Sequence, residues 1–146
     1  LFEKEEGKMK VLVAYDGSKP SKKALDKAVE ISTKLGAELM LLTVTEPVCP
    51  IGITEADCAK MDEILRKETE DVLDNIKFDL EKKSLKVKKF VKKGNAADEI
   101  LKLAEKESID MIVLGSHGRH GAKKFFLGSV SSRVSAHAPC SVIIVK

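Results

Sequence analysis

The 146-residue chain has no tryptophan, one tyrosine and five phenylalanines. So few aromatic side chains argue against a protein that grips single-stranded nucleic acid by stacking bases on aromatic platforms. Cysteine is scarce too. Cys49, Cys58 and Cys140 are odd in number and lack CxxC spacing, a pattern that fits a reducing cytoplasm better than a disulfide scaffold. No apolar run approaches the ~20 residues of a membrane span. The charged stretch Leu1–Lys8 has no secretory hydrophobic region. It reads as an extension or cloning remnant ahead of a domain spanning 9–146, with Met9 a natural start. Neither charge sign dominates: 26 Lys and Arg face 23 Asp and Glu, a net charge of +3. The phosphate loop G-x4-G-K-S/T, the dinucleotide fingerprint G-x-G-x-x-G and the nucleophile elbow G-x-S-x-G are all missing. No general base is evident, and no catalytic residue is assigned.

What is present is a regular alternation of strand and helix patterns. Apolar runs at Lys10–Tyr15, Glu38–Val44, Ile109–Gly115 and Val142–Val145 predict buried parallel strands. A fifth run, Leu85–Val91, alternates apolar residues with lysine and suits an edge strand. Between them lie helical patterns. Ser18 caps the first, whose face carries Ala24, Leu25, Ala28, Val29, Ser32 and Leu35, and Gly36 ends it. Thr54 to Asp57 resembles a capping box for a long helix carrying Met61, Leu65, Val72, Ile76 and Leu80 to about Lys83. Asn95 caps a third helix. A fourth runs from Ser129 to Ala138 and stops at Pro139. This predicts a single α/β domain, a five-stranded parallel sheet of order 3-2-1-4-5 with two helices on each face. Ligands of such sheets bind beside the switch point, here where strands one and four end.

Two segments fall at that point. Tyr15-Asp16-Gly17 ends strand one; Asp16 is either a carboxylate that accepts hydrogen bonds from a ribose diol or an ordinary turn residue. Strand four runs into Gly115-Ser116-His117-Gly118, and nine residues later Gly128-Ser129 opens the last helix. Glycines admit close approach of backbone to an anion. A helix N-terminus then offers unpaired N–H groups and a positive dipole end. Val130 and Ser131 add further N–H donors, and the Ser131 hydroxyl a further contact. Arg119, Lys123 and Lys124 lie in the loop, either over phosphates or simply in solvent. His117 and His120 are spaced for a metal, but no Cys, Asp or Glu in the loop completes a set. No metal ligand is assigned, and His137 reads as surface. The lysine-rich run Lys86–Lys93 reads as edge protection rather than a nucleic-acid contact.

The Gly-x2-Gly-x9-Gly-Ser pattern resembles the nucleotide motif of the ATP-binding branch of the universal stress protein family, and the likeness extends over nearly the whole chain from Met9. The resemblance implies a Rossmann-like, adenine nucleotide alpha-hydrolase-like fold. It implies ATP or a related adenine nucleotide, with Mg²⁺ held mainly by its phosphates. Asp16 would hold the ribose, and the Val44 backbone would read the adenine edge. Ala14 would lie near the adenine, where the family often has proline. Gly115, Gly118, Gly128 and Ser129 would hold phosphate and ribose. A Cβ branch at Gly128 is then expected to block the phosphates. The family dimerises through its last strand, and the bare apolar edge Val142–Val145 independently suggests a homodimer through 141–146. The function implied is a cytoplasmic, nucleotide-dependent switch or sensor in stress response, with no membrane contact and an unnamed downstream partner. A slow ATPase or nucleotide transferase and a ligand-free dimerisation module remain open alternatives. A phospho-receiver would need an aspartate ending strand three, where Val91-Lys92-Lys93-Gly94 stands instead.

Overall fold

The structure, a computed structural model, describes residues 7–118 and 126–146. Its elements run β1 (Lys10–Ala14), α1 (Lys19–Leu35), β2 (Glu38–Thr45), α2 (Glu55–Glu81), β3 (Val87–Lys93), α3 (Ala96–Lys106), β4 (Met111–Gly115), α4 (Ser129–His137) and β5 (Ser141–Val145). The strands form one sheet of order β3-β2-β1-β4-β5, and every neighbouring pair is parallel. This is the expected α/β architecture.

The strand residues sort alternately onto two cores. Val11, Val13, Leu39, Leu41 and Val113 face Ala24 and Ala28 of α1 and Leu73 and Leu80 of α2. Leu12, Met40, Leu42, Ile112 and Leu114 face Ala97, Ile100 and Leu103 of α3 and Val134 of α4. Two helices therefore cover each face. Burying one such leucine fully is worth about 1.5–3 kcal/mol, so the three central strands form the rigid floor of the molecule. No helix among the described residues is long and apolar enough to cross a membrane.

Several sequence expectations are displaced. β3 and β4 each begin two residues late, at Val87 rather than Leu85 and at Met111 rather than Ile109. Ser84 takes φ 64° in the turn before β3, and Leu85 is spent filling the core below the sheet. In α2, Met61, Leu65 and Val72 are exposed, and the buried side chains are Cys58, Leu73 and Leu80. The 27 residues of α2 span about 40 Å, whereas the seven of β3 span about 23 Å. The helix is longer than the strand it covers, and Val72 is exposed beside fully buried Leu73, so these apolar positions lie off the face that meets the sheet. Leu35, at the last turn of α1, is likewise exposed. The lysines of β3 also have partners: Lys89 pairs with Asp74 and Lys93 with Asp62, both on α2. They fasten the helix over the edge rather than merely repelling other strands.

Cysteine holds a further difference. Cys49, in the exposed loop after β2, is bonded to Cys58 in the first turn of α2. Only Cys140 is a free thiol. The scattered spacing gave no sign of this pairing, because the fold brings the two together.

Candidate functional site

β1 and β4 are neighbours at the centre of the sheet. The chain leaves β1 towards β2 on one side and leaves β4 towards β5 on the other, which opens a crevice above their carboxyl ends.

One wall is the turn after β1. Tyr15 N–H donates to Leu42 O (2.8 Å) and Tyr15 O accepts from the Thr43 hydroxyl (2.6 Å), which ties the turn to β2. Gly17 takes φ 81°, a left-handed conformation that suits glycine. The chain then reverses into α1, capped by Ser18, whose hydroxyl accepts from Ser21 N–H. Asp16 Oδ1 accepts from Ser18 N–H (2.9 Å), and Asp16 N–H donates to Ser21 Oγ (3.3 Å). The turn reading of Asp16 is thus realised in these two bonds. One oxygen organises the turn, and Oδ2 faces Gly118 across the crevice, 3.4 Å from where a Cβ there would stand.

The opposite wall is the segment around the 119–125 loop. Ser116 N–H donates to Val145 O (3.0 Å), and Ser116 O accepts from Gly128 N–H (2.8 Å) and from the Ser131 hydroxyl (3.1 Å). His117 bridges the two ends of the loop. Its Nε2 lies 2.7 Å from Phe126 O, a pure acceptor, so Nε2 carries the proton. In the neutral ring Nδ1 then accepts from Ser116 Oγ at 2.9 Å. Both nitrogens are thereby used, which removes His117 as a metal ligand in this arrangement. Arg119, His120, Lys123 and Lys124 lie outside the described residues. Among those described, no three His, Cys, Asp or Glu side chains gather as metal ligands.

The glycines of the motif serve space rather than unusual backbone angles. None of Gly115, Gly118 and Gly128 has positive φ. A Cβ on Gly115 would stand 2.7 Å from the backbone carbon of Pro20, so this glycine admits the first turn of α1 against β4. A Cβ on Gly128 would stand 3.3 Å from Ser116 O and 3.5 Å from His117 Cα. A branched side chain at this position would therefore press first on the Ser116–His117 backbone.

α4 opens differently from the other helices. Ser18, Thr54 and Asn95 each cap their helix with a side-chain bond. Gly128 caps α4 without one. Ser132 N–H is the first to reach an intrahelical carbonyl, Gly128 O. The N–H groups of Ser129, Val130 and Ser131 precede it, at the positive end of the helix dipole.

These parts enclose a cavity of about 260 Å³. Its walls include all nine candidate binding residues: Ala14, Asp16, Val44, Gly115, Gly118, Gly128, Ser129, Val130 and Ser131. Sequence reasoning missed Tyr15, Ser21, Leu42, Ala96, Ile100, Leu114 and His117, which line it too. Leu42, Val44 and Ile100 make an apolar end suited to a flat ring, and the α4 N-terminus makes a polar one. No lysine or arginine is among the described lining residues, so at this wall the helix end supplies the positive potential. The Ser131 hydroxyl donates to backbone carbonyls, at Ser116 and Gly128. It holds the fold, and the exposed Ser129 is the hydroxyl on offer.

A parallel sheet of this order with helices on both faces is a Rossmann-like α/β domain. The chain matches the model of the universal stress protein family over residues 8–146 and belongs to that family. It is 39% identical to the universal stress protein YxiE of Bacillus subtilis, with 94% of this chain and 98% of that one covered. The structure of the universal stress protein UspA from Lactobacillus plantarum superposes with a TM-score of 0.84 at 25% identity, covering 94% of this chain and 97% of that one. A universal stress protein solved in complex with cAMP superposes at 0.64 with 26% identity, covering 95% and 97%.

Proposed function

We propose that this chain is an ATP-binding regulatory protein of the stress response, a switch or sensor rather than a fast catalyst. The observation that carries the reading is the uncapped N-terminus of α4, which faces the same cavity as an apolar slot and an oriented carboxylate. The adenine lies between Leu42, Val44 and Ile100, with the Val44 backbone at its edge and Ala14 beneath. Asp16 Oδ2 accepts from the ribose hydroxyls. The phosphates meet the N–H groups of Ser129, Val130 and Ser131; Gly118 leaves room opposite Asp16, and Gly115 and Gly128 allow the close backbone packing that shapes the wall. The cAMP complex of a relative supports an adenine nucleotide as the ligand class.

Mg²⁺ travels with the nucleotide, held by phosphate oxygens and water, since Asp16 is the only carboxylate among the described lining residues. The working form is a cytoplasmic homodimer joined through β5, whose half-buried Val142, Ile143, Ile144 and Val145 form an edge without charge or proline. A downstream protein reads the filled state.

Calorimetry with Mg-ATP, AMP and cAMP tests the reading. Asp16→Asn is the informative variant, because its amide oxygen keeps the Ser18 bond but its NH₂ cannot accept a ribose hydroxyl. Loss of a hydrogen bond to a charged group costs about 1.5–3 kcal/mol, a weakening of about 10- to 100-fold. Equal ATP affinity in the wild type and Asp16→Asn would place the ligand elsewhere.

A further inference from the structure

The Cys49–Cys58 bond closes the loop that follows the cavity-lining strand β2 and has no part in the binding scheme above. β2 carries Leu42 and Val44 into the cavity wall and ends at Thr45. Thr45 is pinned to β3, its carbonyl accepting from Gly94 N–H and its hydroxyl donating to Lys92 O. The chain then enters the loop 46–54, which is exposed throughout. Inside the loop one backbone bond is made, from Ile53 N–H to Pro50 O. Val48 and Ile51 stand out in solvent at 67% and 105% relative exposure, so side-chain packing does not hold the loop down either. Its tie to the body is the bond from exposed Cys49 to Cys58, itself buried at the base of α2.

We infer that this pair is a thiol–disulfide switch that sets the affinity of the nucleotide site by fixing or freeing the loop at its base end. The inference rests on the nucleotide reading of that cavity. The chemistry is exchange with a dithiol. A thiolate of the dithiol attacks Cys49 Sγ, the accessible sulfur, forming a mixed disulfide. Cys58 Sγ leaves as a thiolate and takes up a proton. The second thiol of the reagent then attacks its own sulfur in the mixed disulfide, releasing Cys49 as a thiol. Two protein thiols are formed, one disulfide is reduced, and the dithiol is oxidised to a cyclic disulfide. In the oxidised protein the loop that follows Val44 and Thr45 is held to α2, and ligand binding does not have to order it. In the reduced protein that ordering is charged to binding, which lowers affinity. A bridge in a cytoplasmic protein is most often of this reversible, redox-sensing kind.

The test uses the full chain, oxidised in air or reduced with dithiothreitol, and titrated with Mg-ATP. We expect ATP to bind the reduced protein about 3- to 30-fold more weakly, for an ordering cost of about 0.6–2 kcal/mol. The Cys49→Ser/Cys58→Ser variant should bind with the reduced affinity whatever the reagent. Alkylation followed by mass measurement should count one labelled thiol before reduction and three after, under unfolding conditions. Hydrogen exchange of the loop 46–54 without ligand should quicken on reduction, a readout that survives if the double variant folds poorly. Three labelled thiols in the air-oxidised protein, equal affinity in both states, or tighter binding on reduction would each overturn the switch. Failure of ATP to bind in either state would instead overturn the nucleotide reading on which it rests.

Discussion

Substituting Ser129 by aspartate should move stability and binding in opposite directions. Ser129 is the first residue of α4, exposed and in the cavity wall. Gly128 leaves the helix without a side-chain cap. A carboxylate in the first turn should therefore stabilise the empty protein, by about 0.3–1 kcal/mol. For a domain of this size that raises the melting temperature by about 1–3 °C. The same carboxylate stands where the phosphates are proposed to lie. Two like unit charges about 5 Å apart at an effective dielectric of about 20 repel by about 3 kcal/mol, a loss of more than about 100-fold in affinity. Scanning calorimetry of the empty protein and titration with Mg-ATP read the two effects separately, with Ser129→Ala as the uncharged control. A higher melting temperature with ATP affinity within twofold of wild type would show that the phosphates do not use this helix end. A lower melting temperature would show that the helix end is already satisfied. Gly128→Val, the obvious choice from the sequence, cannot make this distinction. Its branched side chain would press on Ser116 and His117 and deform the loop whether or not phosphate lies nearby.

Three further outcomes follow from other contacts. Gly115→Ala should cost about 1–3 kcal/mol in denaturant unfolding, since its Cβ would stand 2.7 Å from Pro20 backbone; an unchanged midpoint would mean that α1 shifts freely. Ile144→Pro should yield a monomer in sedimentation at micromolar concentration by breaking the proposed β5 edge pairing, and a dimer that persists would place the interface elsewhere. Burial, and after it the charge of Asp110, push the Cys140 thiol above its ordinary value of 9.0. The fold therefore favours the protonated form. That contribution is complete below the unfolded thiol's pKa and fades as pH rises through the folded one, so iodoacetamide at pH about 8 should label Cys140 more slowly in the folded than in the unfolded chain. Equal rates would count against it.

The sheet order was legible because burial on two faces and on one leave different residue patterns. The unbroken runs of β1, β2 and β4 contrast with the lysines of β3, and that contrast marks β3 as an edge, whereas β5, the other edge, carries an apolar run like the central strands. The caps Ser18, Thr54 and Asn95 were legible because capping is local chemistry, settled within three residues. The exposed early face of α2 was not legible. A helical stripe records which side is apolar, but not which side meets the sheet. Nor was the Cys49–Cys58 bond, nine positions apart, because the spacing says nothing until the course of the loop is known. Leu42, Ile100 and Leu114 read as core, and their place in the cavity wall depends on where each strand and helix stops.

Ser116 shows most clearly what sequence reading passed over. As a residue between a glycine and a histidine it carried no assigned role. In the fold its N–H is bonded to Val145 at the end of edge strand β5, and its carbonyl receives both Gly128 N–H and the Ser131 hydroxyl at the start of α4. Its own hydroxyl meets His117, which closes the loop onto Phe126. One residue thus joins the edge proposed for dimerisation to the helix end proposed for phosphate. Gly128 and Ser131, two candidate binding residues, owe their placement to it. The motif's glycines keep Cβ atoms out of these close approaches, and the polar groups between them hold the geometry. A motif of glycines without Ser116 and Ser131 would have the room for these close approaches but not the bonds that fix the start of α4 against the crevice.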